Sequence, residues 1–159
     1  GNRNAMRKQS ITLVSNEMRA IAGLTESGTP AAFCDAVRVE LADAILIYIS
    51  GATPIDDNGK LVGDTMLEQT RQVLRRIKRV LDDQGANFED VVRVRVFVTD
   101  INPKALQQVH QARNEVFPSH ARPASTLVQI SGIIREGGMI EIEADVVMRN
   151  ASTKENRDD

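Results

Sequence analysis

The chain has 159 residues but only one cysteine, one tyrosine, two histidines and no tryptophan. A lone cysteine, Cys34, excludes an internal disulfide framework and any cysteine-cluster zinc site. It favours a reducing compartment, and a cytoplasmic location is expected. His110 and His120 are not at ligand spacing on one element, so no metal is expected. The scarcity of tryptophan and tyrosine leaves few platforms on which bases could stack. Charge of one sign is also lacking. Twenty basic and 22 acidic side chains give a net charge of −2, too little field to draw in nucleic acid or an anionic membrane. No apolar run approaches the ~20 residues of a membrane helix.

What is present fits one soluble domain of ordinary size. Residues 1–8 are read as a tag remnant ("GNRNAM") and disordered start, residues 9–149 as the domain, and the polar end, 150–159, as a disordered tail. "ITLVS" (11–15) is a short β-type run, and the Ala-, Gly-, Thr- and Ser-rich segment 19–32 reads as loop. "AVRVEL" (36–41) alternates with the period of a half-buried strand. "AILIYIS" (44–50) is a continuous β-branched run, expected to be buried on both faces and ended by Gly51. "ELAD" makes these two a hairpin.

A 3.6-residue apolar stripe, Met66, Val73, Ile77, Val80 and Leu81, predicts a helix over 65–83. Asp64 is its candidate N-cap and Gly85 its stop. Its other face is basic, with Arg71, Arg75, Arg76, Lys78 and Arg79. "DVVRVRVFVTD" (90–100) alternates, placing Val92, Val94, Val96 and Val98 on one face and Arg93, Arg95 and Phe97 on the other. Asn102-Pro103 opens a second helix with Leu106, Val109 and Val116 as its stripe. "STLVQIS" (125–131) and "MIEIEADVVM" (139–148) are the last strands. Two helices cannot cover both faces of such a sheet. A second copy of the chain is the simplest cover for the remaining face, so an oligomer is expected.

Five stretches then line up together: "ISGATPID", "GDTMLEQTRQVLRRIKRVL", "DVVRVRVFVTDIN", "RPASTLVQISG" and "IEIEADVV". In this order and spacing, over roughly residues 33–148, the chain resembles the Rid (YjgF/YER057c/UK114) family of reactive-intermediate deaminases, also known as L-PSP endoribonucleases. The resemblance implies a chorismate-mutase-like α+β fold with two helices on one face of a mixed sheet. It implies a homotrimer with an inner barrel of sheets and ligand clefts between subunits. In the active deaminases water adds to the C=N carbon of an imino or enamino acid and ammonia leaves, without cofactor or metal.

Carried over residue by residue, the resemblance makes Glu141 the carboxylate that positions water. It makes Ser50-Gly51 and Phe33 substrate contacts; Phe33 keeps a ring where the family often has tyrosine. The family's Pro-Ala-Arg-Ser corresponds to Pro123-Ala124-Ser125-Thr126, so the arginine that would bind the substrate carboxylate is replaced by Ser125. Hydrogen bonds to charged groups contribute ~1.5–3 kcal/mol, against ~1 for neutral ones, so simple 2-imino acids are expected to bind more weakly. Arg122, if Pro123 bends the strand, and Arg95, on the strand 90–100, are the two candidates to restore a cation.

Each of these residues has a plainer reading. Glu141 is otherwise a sheet Glu paired to an Arg, with Glu143 on the same strand face. Ser125 is a strand serine, Ser50-Gly51 a strand end, Phe33 and Cys34 core, and His120 a solvated loop residue. The basic helix face reads as RNA-binding or as solvated with partners such as Glu68. Two functions stay open: a hydrolytic deaminase of a small imine or enamine, or a trimer that binds a small molecule without chemistry. Neither needs a nucleic-acid partner.

Overall fold

The protein was analysed as a computed structural model, which describes residues 6–13 and 27–151. Six strands form one sheet: β1 (Arg7–Ile11), β2 (Ala36–Glu40), β3 (Ala44–Ala52), β4 (Val91–Val98), β5 (Ala124–Gln129) and β6 (Ile140–Arg149). Their order across the sheet is β1-β2-β3-β6-β4-β5. Only β4 and β5 run parallel. Their crossover is helix α2 (Pro103–Val116), the connection that a parallel pair requires. Helix α1 (Met66–Asp83) lies between β3 and β4, and a short 3-10 turn (Phe88–Asp90) leads into β4.

Helices α1 and α2 lie over one face. Ile45, Ile47 and Ile49 of β3, Val94, Val96 and Val98 of β4, and Ile140, Ile142, Ala144 and Val146 of β6 are buried in a single core with Val73, Leu74, Ile77 and Leu81 of α1 and Val109 of α2. Each fully buried aliphatic side chain contributes about 1.5–3 kcal/mol. The opposite face carries Val37, Val39, Leu46, Tyr48, Phe97, Val128 and Val147, with Arg95, Glu141, Glu143 and Asp145 among them. No element of the same chain packs on it among the described residues. The β3 run is therefore buried on one face only within a single chain, not on both.

Several boundaries differ from the sequence reading. β1 occupies Arg7–Ile11 rather than 11–15, of which residues 14 and 15 lie outside the described residues. Arg7 and Lys8, expected in a frayed start, pair with Glu40 and Val39. At the other end Asn150 donates its side-chain amide to Leu41 O at 2.9 Å and its backbone N–H to Asp43 O at 3.2 Å. The expected tail beyond residue 151, and most of the expected loop 19–32, lie outside the described residues.

The cap of α1 is Thr65 rather than Asp64. Thr65 Oγ1 accepts from Glu68 N at 3.1 Å, and the Glu68 carboxylate accepts from the N–H groups of Asp64 and Thr65. This capping box turns Glu68 toward the helix start, so among the described residues it forms no salt bridge with the basic face and acts on Arg71 only through its charge. That face is tied down elsewhere: Arg71 to Glu115, Lys78 to Asp82, Arg79 to Asp57 and Arg76 to Thr53 O. On α2 the buried positions are Ala105, Val109 and Ala112, while Leu106 and Val116 are half-buried. Small side chains let this helix pack closely against α1.

The alternation of β4 is broken once. Val91 pairs with Val146 and Arg93 with Asp145, so Val92 is an extra residue in a β-bulge and stands exposed. The bulge returns Val91 to the same buried side as Val94.

Candidate functional site

A second bulge lies at Ser50-Gly51. Ile49 pairs with Ala144 and Ala52 with Ile142, three steps on β3 against two on β6. The strand does not end at Gly51; it kinks there and continues to Ala52. A Cβ at Gly51 would meet Glu141 Cδ at 2.9 Å and Oε2 at 3.2 Å. Glycine is thus the residue that leaves room for the Glu141 carboxylate to lie against the kinked backbone.

Glu141 is half-buried on the face without helices. Its carboxylate has no cation and no hydrogen-bond donor among the described residues. Burial raises its pKa above the ordinary carboxylate value, and the negative charge of Glu143 raises it further. Arg95, one of the two candidate cations, does not relieve this. Its guanidinium is shared between Glu143 at 3.3 Å and Asp145 at 3.4 Å. The result is a carboxylate that is costly to ionise beside two acids that share one arginine, a usual condition for a proton-transfer group.

Phe33, Ser50 and Gly51 come together around a cavity of about 60 Å³, with Asp35, Arg76 and Arg79 also on its wall. That volume admits a few water molecules or one small polar group. Phe33 is 49% exposed, so it is a wall residue and not core. Ser50 donates its hydroxyl to Cys34 O at 2.7 Å and its N–H to Asp35 O at 2.9 Å. The hydroxyl proton is therefore committed to holding the bulge. Cys34 points its thiol at Ala36 O, 3.2 Å away.

Ser125 and Arg122 lie elsewhere. Ser125 pairs in register with Val94, a core residue, so its side chain points to the helix side of the sheet. Glu141 pairs with Phe97 on the opposite side. One chain therefore does not bring Ser125 and Glu141 together. Ser125 Oγ accepts from Arg113 Nη2 at 2.9 Å, and Arg122 Nη1 donates to Asn114 Oδ1 at 2.7 Å. Arg122 thus joins Arg113 and Ser125 rather than Glu141.

Arg113 was not singled out by sequence reasoning, and neither were Arg76 and Arg79. The first belongs to a polar helix turn with no motif of its own. The other two were read only as part of a basic face. The available signal for Arg113 was its place in the last turn of α2, just before the "PSHARPAS" loop that returns the chain to β5. His120 is exposed and approaches Glu89 at 3.4 Å. Among the described residues no three His, Cys, Asp or Glu side chains gather as metal ligands. No helix among them is long and apolar enough to cross a membrane.

Comparison with known proteins places this geometry. Residues 27–148 match the family model described as Endoribonuclease L-PSP. The chain is 37% identical over 118 residues to the 3-aminoacrylate deaminase RutC of Acinetobacter baylyi, covering 72% of this chain and 88% of that protein. It is 34% identical over 99 residues to a RutC family protein of Pyrococcus abyssi, covering 62% and 75%. The crystal structure of a Mycobacterium tuberculosis member of the YjgF/YER057c/UK114 family superposes with a TM-score of 0.67 at 30% identity, covering 89% of this chain and all of that one. The two helices on a mixed six-stranded sheet are the chorismate-mutase-like α+β fold, and this chain belongs to the Endoribonuclease L-PSP family, the YjgF/YER057c/UK114 or Rid group.

Proposed function

We propose that this protein is a cofactor-independent hydrolase that deaminates a small imine or enamine carrying a carboxylate. The observation that carries this reading is the Glu141 carboxylate, unpaired among the described residues, half-buried and held against the Ser50-Gly51 bulge. Its likeness to a 3-aminoacrylate deaminase supports the substrate class.

The chemistry needs little else. Glu141 accepts a hydrogen bond from a water molecule and takes its proton as the oxygen adds to the C=N carbon. The nitrogen is protonated, the C–N bond breaks and ammonia leaves. The carbon keeps the oxygen as a ketone or aldehyde, so imine plus water gives carbonyl compound plus ammonia. An enamine first gains a proton at carbon to become the imine. The raised pKa of Glu141 suits a group that both takes and returns protons. The Ser50-Gly51 backbone would shape the wall against Glu141, while Phe33 lines the cavity beside α1, of which Glu141 is not a lining residue.

Ser125 and Glu141 face opposite sides of the sheet, so a cleft that uses both draws on two copies of the chain. The apolar face left open among the described residues supports such self-association, and a homotrimer with the sheets inside is the arrangement we infer. A second reading, a trimer that binds a small molecule without chemistry, is favoured by one feature: position 125 holds a neutral serine.

A coupled assay separates the two. An amino-acid oxidase or dehydratase would generate alanine-, leucine- and serine-derived imines, and ammonia release would be followed with and without the protein. Acceleration that disappears in Glu141→Ala supports the deaminase. No acceleration with any of the imines would leave the binding reading.

A further inference from the structure

Arg113 and Arg122 converge at the start of β5. Arg113 reaches from the last turn of α2 to Ser125 Oγ, and Arg122 is held by Asn114, the residue after Arg113. Neither guanidinium has an acidic partner within salt-bridge distance among the described residues. This sets them apart from Arg38, Arg71, Arg79 and Arg95, each of which has a carboxylate. Burial lowers the pKa of Arg113, and the charge of Arg122 lowers it further. The pair therefore bears a desolvation and repulsion cost that no acid among the described residues offsets.

A cation in the last turn of a helix is favourable in itself. The Arg113 side chain, however, is not turned to the terminal carbonyls. It spans to the neighbouring strand, where Ser125 uses one of its five N–H donors. Ser125 and Arg122 are exposed and Arg113 is half-buried, so the cluster stands at the protein surface. A planar fork next to a second guanidinium is the geometry that accepts a carboxylate bidentately.

We propose that Arg113, flanked by Arg122 and fixed by Ser125, is the anion site that holds the carboxylate of the substrate. This rests on the reading of the substrate as a small carboxylate. It makes the helix, not the strand, the source of the binding cation. Arg113 determines specificity and Glu141 performs the chemistry.

The test is calorimetric titration of the intact protein with pyruvate, pyruvamide and inorganic phosphate. Pyruvate is expected to bind, and pyruvamide, which lacks the charge, to bind at least tenfold more weakly. Arg113→Gln should weaken pyruvate about ten- to hundredfold. Arg113→Lys should recover part of this, because it keeps charge but loses the fork. Arg122→Gln, at an exposed position, keeps the test valid if Arg113→Gln fails to fold, and should weaken pyruvate severalfold. In the coupled assay Arg113→Gln should raise KM far more than it lowers kcat. Pyruvate binding that is absent, unchanged in Arg113→Gln and Arg122→Gln, or matched by pyruvamide would overturn the proposal. So would phosphate binding that excludes pyruvate. Arg113-dependent pyruvate binding without ammonia release would uphold the anion site and refute the deaminase. Ammonia release with a KM indifferent to Arg113 would do the reverse.

Discussion

Gly51 and Glu141 are in such close contact that a single added carbon on one would displace the carboxylate of the other. The predicted consequence is specific to function. In Gly51→Ala the atoms to be moved are the end of a flexible side chain, so the fold should lose no more than about 1 kcal/mol. The carboxylate would shift by an ångström or so, and misplacement on that scale costs about a hundredfold in rate. Urea denaturation beside the coupled deaminase assay checks both halves. A variant with full activity would show that the Glu141 position is not critical.

The elevated pKa of Glu141 has a pH signature. An acid whose folded-state pKa is raised binds more protons folded than unfolded between the two pKa values. Its stabilising contribution is complete below the unfolded value and is lost as pH rises through the folded one. Glu141→Gln should therefore be more stable than wild type at neutral pH, with the gap closing below the ordinary carboxylate range. Activity runs the other way, because the base must be ionised: the acid limb of the rate profile should sit above the usual carboxylate pKa. Glu143→Gln removes a raising charge and should move that limb to lower pH. A limb that stays put in Glu143→Gln would detach the profile from Glu141.

How far such relationships were legible in sequence depends on their range. The α1 stripe was readable because Met66, Val73, Ile77, Val80 and Leu81 recur at helical period, and all are buried. Asn102-Pro103 was readable because capping is local. The bulge at Val92 was not, since an unbroken run of valines at alternate positions conceals an inserted residue until β6 supplies the pairing. Ser50-Gly51 carried a glycine signal, but the bulge required the register with β6. Arg113 was invisible for the same reason: its meaning lies in Ser125, which pairs to it only after α2 folds back across β4 and β5. Local chemistry gives elements and caps, while a site made of strand registers and helix-to-strand contacts exists only in the assembled sheet.

Gln69 is a buried polar residue, 1% exposed, near the start of α1. Its amide donates to Gly63 O at 3.1 Å and Gly137 O at 3.0 Å, and its carbonyl accepts from Met139 N at 2.7 Å. It thus ties the entry to α1 to the loop before β6, the strand that carries Glu141. Gln69→Leu keeps the volume but strands three backbone groups, with an expected cost of about 3 kcal/mol. Chemical denaturation measures this directly. A loss below about 1 kcal/mol would mean that water replaces the amide.

The uncovered face makes the last prediction. Tyr48 is 46% exposed and sits directly across from Val37, with Leu46 beside Val39 and Val147 on the same face. On its β6 side it pairs with Asp145. Tyr48→Asp would place a second carboxylate next to Asp145 in the middle of the proposed subunit interface, where an unpaired buried charge costs several kcal/mol. In a single chain the same change is at a solvent-facing position and costs little. Sedimentation should therefore show trimer for wild type and monomer for Tyr48→Asp, with the far-ultraviolet dichroism of the two alike. Deaminase activity should vanish with the trimer, because Glu141 and the Arg113 site lie on opposite sides of one sheet and meet only across two copies. A monomeric variant with undiminished kcat would show that one chain completes the site.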